Sequence, residues 1–99
     1  KNVRWVNADT AARRPYDIII TRGDNRIEYV EVKATTTSNK NWFYITAREW
    51  QFALEKGDDF SIARVMVSGE KMANIKMLKN PHKLCQKKML HLALLIARR

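Results

Sequence analysis

Three residues in the first third of the chain have types and spacing suited to phosphate chemistry: Asp17, Glu31 and Lys33. Glu31 and Lys33 stand two positions apart in the apolar run "IEYVEVKA", so a strand there would present both on one face. Asp17 belongs to another apolar run, "YDIIITR". If Gly23, Asp24 and Asn25 form the turn between these runs, Asp17 stands opposite Glu31, Ile19 opposite Tyr29 and Ile18 opposite Val30. A turn one residue shorter would send the two carboxylates to opposite faces. The longer turn is expected, because Asn25 tolerates the left-handed backbone its last position needs.

Like charges opposite each other destabilise a sheet, and apolar surroundings push one carboxylate toward its neutral form. A divalent cation relieves both costs. Two carboxylate oxygens and several waters suit a hard ion such as magnesium (Mg2+). Such an ion polarises a phosphate oxygen and lowers the pKa of a bound water. The Lys33 ammonium would orient that water or offset charge growing on phosphorus. The chemistry is metal-dependent phosphodiester hydrolysis, with Asp17 and Glu31 as metal ligands and Asp17, Glu31 and Lys33 as the catalytic set. The plainer alternative is an amphipathic strand with an ordinary Glu-x-Lys pair and a strand-start aspartate.

The elements that must hold these residues follow from the pattern. Val3–Asn7, Tyr16–Arg22 and Arg26–Ala34 read as strands, the last two dense in β-branched residues. "WFYI" is a short extended stretch. Thr46 and Glu49 then make a capping box, with Ala47, Trp50, Ala53 and Leu54 on one helical face and Gly57 as the stop. Phe60–Val67 returns to strand, and "KMANIKML" reads as its hairpin partner. Asn80-Pro81 opens a short helix to Gln86. "LHLALLI" fits either a closing strand or a helical stripe, and the strand is preferred. The expected class is α/β (α+β): a mixed sheet in which hairpin partners are antiparallel and the strand reached through a helix runs parallel, with at least one helix packed on it.

Ninety-nine residues suit one domain, 1–99. The absence of a starting methionine at Lys1 leads us to expect a fragment of a larger protein. The net charge is +9, and its distribution is uneven. From Lys71 onward there are eight basic residues and no acidic one, whereas residues 1–70 hold 11 basic against 10 acidic. That asymmetry favours a polyanion, nucleic acid first, although a plain solvated basic surface is an equal reading. Lys40, in the polar loop after the motif strand, and Lys83, Lys87 and Lys88 are the candidate nucleic-acid-binding residues. The lone Cys85 excludes an internal disulfide and fits a reducing intracellular compartment. No run reaches the roughly 18 apolar residues of a membrane helix. Trp5, Trp42 and Trp50 read as core rather than base-stacking residues, and Glu49 as a capping residue rather than a metal ligand. His82 and His91 have no partners at useful spacing.

The segments "PYDIII", "IEYVEVKAT" and "WFYITAREWQFALEKGDDFSIARVMV", in that order, resemble the NO VEIN C-terminal domain family over nearly the whole chain. That domain in turn looks like the PD-(D/E)XK nuclease superfamily. The resemblance implies a restriction-endonuclease-like core, strand-strand-strand-helix-strand, whose first helix is expected to be missing here. The superfamily's motif falls on Asp17, Glu31 and Lys33, with Pro15 loosening the Pro-Asp pair to Pro-Tyr-Asp. It also implies a plant nuclear protein concerned with cell-fate specification and development, with an ATPase-like region upstream as partner. DNA is favoured over RNA. The alternative function is a catalytically inactive nuclease-fold module that binds nucleic acid or protein.

Overall fold

A computed structural model describes residues 1–6, 14–36, 40–69 and 72–93. Among them, five strands form one mixed sheet in sequence order: β1 (Asn2–Trp5), β2 (Ile18–Thr21), β3 (Ile27–Thr35), β4 (Phe60–Ser68) and β5 (Met72–Lys79). Helix α1 (Ala47–Lys56) crosses from β3 to β4, and α2 (Pro81–Gln86) follows β5. The β1–β2, β2–β3 and β4–β5 pairs are antiparallel, while β3 and β4 are parallel. The helical crossover makes that parallel pairing geometrically available.

The β2–β3 hairpin has the expected register: Ile18 pairs with Val30 and Ile19 with Tyr29. Arg22 N–H donates to the Arg26 carbonyl at 2.9 Å, and Asn25 takes φ 67° in the turn between them. β2 is shorter than expected, because Tyr16 leaves the ladder for the aromatic core and Asp17 turns its carboxylate to β3.

Helix α1 starts at the expected capping box: Glu49 N–H donates to Thr46 Oγ1, and Thr46 N–H donates to Glu49 Oε1. Its inward face is rotated from the one expected. Ala53 and Trp50 face the sheet, but Phe52 joins them while Leu54 is 46% exposed. Phe52 is drawn in by Tyr16, Tyr29 and Phe60, whose ring centroids lie 5.1, 5.0 and 5.8 Å away. With Ala53, Phe60, Ile62 and Leu78 at its centre, this core fills one side of the sheet. On the other side, Trp5, Val3, Ile75 and Met77 remain exposed.

At α2, Asn80 caps the helix by accepting from Lys83 N–H at 3.2 Å, as the Asn-Pro pair implied. The helix stops in a left-handed residue, Lys88 (φ 61°). Lys88 N–H reaches the Cys85 carbonyl, and Met89 N–H that of Leu84, which is a Schellman closure. This closure turns the chain back so that Leu90 packs on the core, and residues 90–93 form no strand. The remainder of the expected closing strand, 94–96, lies outside the described residues, as does Asn7 of the first. Among the described residues, no helix is long and apolar enough to cross a membrane.

Candidate active site

The β2–β3 register sets Asp17 across from Glu31, just before β2 begins. Asp17 is tied to β3 by its own side chain, since Val32 N–H donates to Asp17 Oδ2 at 2.8 Å. The Asp17 N–H donates in turn to the Val30 carbonyl at 2.8 Å. The acid therefore replaces a ladder carbonyl at the margin of the sheet, which fixes where its charge lies.

Glu31 and Lys33 project from β3 toward α1, on the face that also carries Tyr29. Glu31 is only 6% exposed. Lys33 Nζ lies 3.2 Å from Glu31 Oε2 and 2.9 Å from Glu49 Oε1. Glu31 Oε1 is buried and has no hydrogen-bond partner. Such an atom carries the full desolvation cost of an unsatisfied acceptor.

The electrostatics follow from this crowding. Burial, the hydrogen-bonding carboxyl of Glu49, and the charges of Glu49 and Asp17 push Glu31 up to about 9, against the weaker pull of Lys33. At neutral pH, Glu31 holds a proton. Burial alone would raise Glu49, but hydrogen bonds with Glu31, Lys33 and Thr46 outweigh it and hold Glu49 below the usual carboxylate range. Burial works against the Lys33 ammonium too, yet the hydrogen bonds and charges of Glu49 and Glu31 raise its pKa. The result is a fixed cation between a protonated and an ionised carboxyl group.

Glu49 is the residue that sequence reasoning placed outside the site. Its capping role is real, but the oxygen that accepts from Thr46 N–H also accepts from Lys33. The one available signal was its position in the first turn of the helix that follows the motif strand. A helix start has no unique angle to a strand sixteen residues earlier, so the second contact could not be derived locally.

Next to Lys33 in the β3–β4 pairing stands Arg64, buried at 7% exposure. Its guanidinium donates to the carbonyls of Lys33, Lys40 and Trp42, each at 3.1 Å, and its Cζ lies 5.4 Å from the Phe43 ring centroid. Arg64 thereby pins the stretch between β3 and α1 against the site. Arg48 and Gln51 point to the exposed side of α1.

The candidate basic residues are divided. Lys40 is at the site's border, its Nζ 4.2 Å from the Trp42 ring centroid. Lys83 is exposed on α2, whose N-cap Asn80 bonds Asp58 at the end where β4 starts. Lys87 and Lys88 are exposed at the α2 terminus. Lys33 and Arg64, by contrast, lie four positions beyond the Tyr29–Phe60 pair that opens the β3–β4 ladder. The structure joins Asp17, Glu31, Lys33 and Glu49, and neither Lys40 nor the α2 lysines are among the largest influences on their charges. Trp50 packs on the core as expected, but Trp5 and Trp42 are about half exposed. Cys85 is a free thiol whose pKa burial raises.

The residues fit a small hard cation in donor type once Glu31 gives up its proton: its buried oxygen has no partner, and the charges of Asp17 and Glu49 act on it. Among the described residues, no three His, Cys, Asp or Glu side chains are grouped to hold a metal by themselves. Two protein carboxylates with water completing the shell is a normal magnesium arrangement.

The family described as "Protein NO VEIN, C-terminal" matches residues 1–78. Protein NO VEIN of Arabidopsis thaliana is 46% identical over 94 residues, which is 95% of this chain and 3% of that protein. Protein NO VEIN-LIKE of the same plant is 45% identical over 95 residues, 95% of this chain and 14% of its own length. The chain thus spans a small part of these relatives. No solved structure matches. By these sequence matches the chain belongs to the NO VEIN C-terminal domain family.

Proposed function

We propose that this chain is a nuclease-like domain of PD-(D/E)XK type that hydrolyses phosphodiester bonds in nucleic acid with magnesium. The observation that carries the reading is the buried, unsatisfied Glu31 oxygen, set between Asp17 and the Lys33–Glu49 pair. A second carboxyl and a fixed ammonium around a desolvated acid make little sense as ordinary core. They make good sense as one half of a cation site facing an anionic substrate.

Asp17 and Glu31 would hold the ion, which supplies polarisation of a phosphate oxygen and acidification of water. Binding there requires Glu31 to release its proton, and the Asp17–Val32 bond keeps the opposing carboxylate in place. Lys33, held by Glu49, directs a hydrogen bond at the attacking water or the phosphate and offsets negative charge in the transition state. Hydrolysis adds water across one P–O ester bond, leaving a phosphate on one fragment and a hydroxyl on the other.

The restriction-endonuclease-like core belongs to the same proposal, supported by the order of three strands, helix and strand and by the parallel β3–β4 pair. A nuclear setting, a role in cell fate and development, and service to an upstream ATPase-like region are proposed from the family resemblance. DNA is proposed ahead of RNA.

One observation favours a second reading, a catalytically inactive binding module: the absence among the described residues of a third ligand for an ion. The two readings separate in titration calorimetry with magnesium, run beside cleavage of labelled DNA and RNA. The nuclease reading expects magnesium uptake lost in Asp17→Asn and Glu31→Gln, and cleavage lost in these and in Lys33→Ala, with folding retained. Nucleic-acid binding without magnesium uptake or cleavage would establish the inactive module instead.

A further inference from the structure

We infer that Trp42 and Tyr44 form a stacking platform for an unpaired base of single-stranded nucleic acid, beside the phosphodiester site. This inference rests on the nucleic-acid reading above and narrows its substrate to strands with accessible bases. Residues 42–45 alternate: Phe43 and Ile45 turn into the core, while Trp42 and Tyr44 turn out. Trp42 is 52% and Tyr44 65% exposed, and their rings meet edge to face with centroids 5.2 Å apart. Two adjoining exposed aromatic rings offer a contact surface.

Three further features select the occupant. The platform is rigid, because buried Arg64 grips the carbonyls on either side of Asn41, those of Lys40 and Trp42. It adjoins the acidic site, because the same guanidinium grips the Lys33 carbonyl. Finally, a cation is built into it: Lys40 Nζ lies over one face of the Trp42 ring, 4.2 Å from its centroid, so a base would take a ring face that the ammonium does not cover. An aromatic face with an ammonium beside it accepts a base and its phosphate together, which is the recurring design of single-strand binders. A paired base keeps its face inside the duplex stack, so a duplex gains only the phosphate contact. The Lys40 charge opposes a basic ligand at this face.

The test is equilibrium binding of labelled oligothymidylate, oligouridylate, an abasic strand of equal length and a duplex. It uses the 99-residue chain in calcium or without divalent ion, so that cleavage plays no part. The unaltered chain should bind both base-bearing single strands more tightly than the abasic strand or the duplex. Trp42→Ala should weaken that binding by about tenfold, Tyr44→Ala by less, and Trp42→Phe should keep most of it. The abasic strand should bind these variants as it binds the unaltered chain. Thermal unfolding of each variant confirms the fold, and Trp42→Phe controls for lost bulk. Equal affinity for abasic and base-bearing strands, or unchanged binding by Trp42→Ala, overturns the platform while leaving magnesium uptake and cleavage to be judged separately. Absence of nucleic-acid binding overturns it as well, and a protein ligand sensitive to Trp42→Ala would then take its place.

Discussion

Lys33 Nζ and Glu49 Oε1 meet at 2.9 Å, and the same Glu49 oxygen closes the N-terminal cap of α1. One carboxylate thus orders a helix start and fixes the ammonium of the motif strand. Glu49→Ala should cost about 1–3 kcal/mol in urea unfolding, from the lost cap and the stranded, part-buried ammonium. Glu49→Gln should retain much of the cap, since an amide oxygen serves in a capping box, yet lower the Lys33 pKa by removing a charge that raises it. An NMR titration of the Lys33 side chain that is unchanged in Glu49→Gln would contradict this.

Glu31 makes stability depend on pH with a definite sign. It titrates at 4.5 in an unfolded chain and about 9 in the fold. Between those values the native state keeps a proton that the unfolded state has lost. Its contribution therefore falls as pH rises, by up to about 1.4 kcal/mol per pH unit, and the penalty is complete above the upper value. Glu31→Gln should flatten the decline of Tm between neutral and alkaline pH. Glu49 acts oppositely: its lowered pKa gives stability above the unfolded value that is lost as the solution is acidified through its folded one. Thermal melts across the two ranges separate the groups.

Magnesium should act through the alkaline part of that profile. An ion held by Asp17 and Glu31 competes with the Glu31 proton, so magnesium affinity should increase as pH rises toward 9 and each binding event should release protons. Calorimetry in buffers of different ionisation enthalpy measures that release. A pH-independent affinity with no proton release would place the ion elsewhere.

Arg64 offers a test of the loop that bears Trp42. Lysine cannot span the carbonyls of Lys33, Lys40 and Trp42 with one compact ammonium. Arg64→Lys should therefore destabilise by about 1–3 kcal/mol through the unsatisfied carbonyls. Steady-state anisotropy of Trp42, measured with Trp5 and Trp50 replaced by Phe, should fall. Equal anisotropy in both proteins would show that Arg64 does not hold the loop.

How much of this was legible in the sequence depended on distance along the chain. The β2–β3 register followed from turn length and from Asn25, both local, and it carried Asp17 to Glu31. The capping box at Thr46 and Glu49 and the Asn80 cap were local as well. What escaped was the orientation of α1 on the sheet. Ala53 and Trp50 were recognisable as inward, but the helical pattern favours Leu54, one turn on from Trp50, over Phe52, which falls nearly opposite Trp50. Only the Tyr16–Tyr29–Phe60 cluster decides between them. The same orientation brings Glu49 to Lys33. Trp42 was misread as core because "WFYI" is apolar on both faces, and tertiary packing alone selects Phe43 and Ile45.

The bond from Val32 N–H to Asp17 gives that acid two unequal duties. Trimmed to alanine, it leaves an amide of the motif strand without its acceptor, so any loss of the proposed activity in that variant would be mixed with fraying of the sheet. Exchanged for asparagine, it surrenders its charge while the amide oxygen can keep the sheet's edge fastened. Under the proposed nuclease reading, that exchange would separate loss of chemistry from loss of shape, and Val32 amide-exchange rates can tell the two kinds of loss apart.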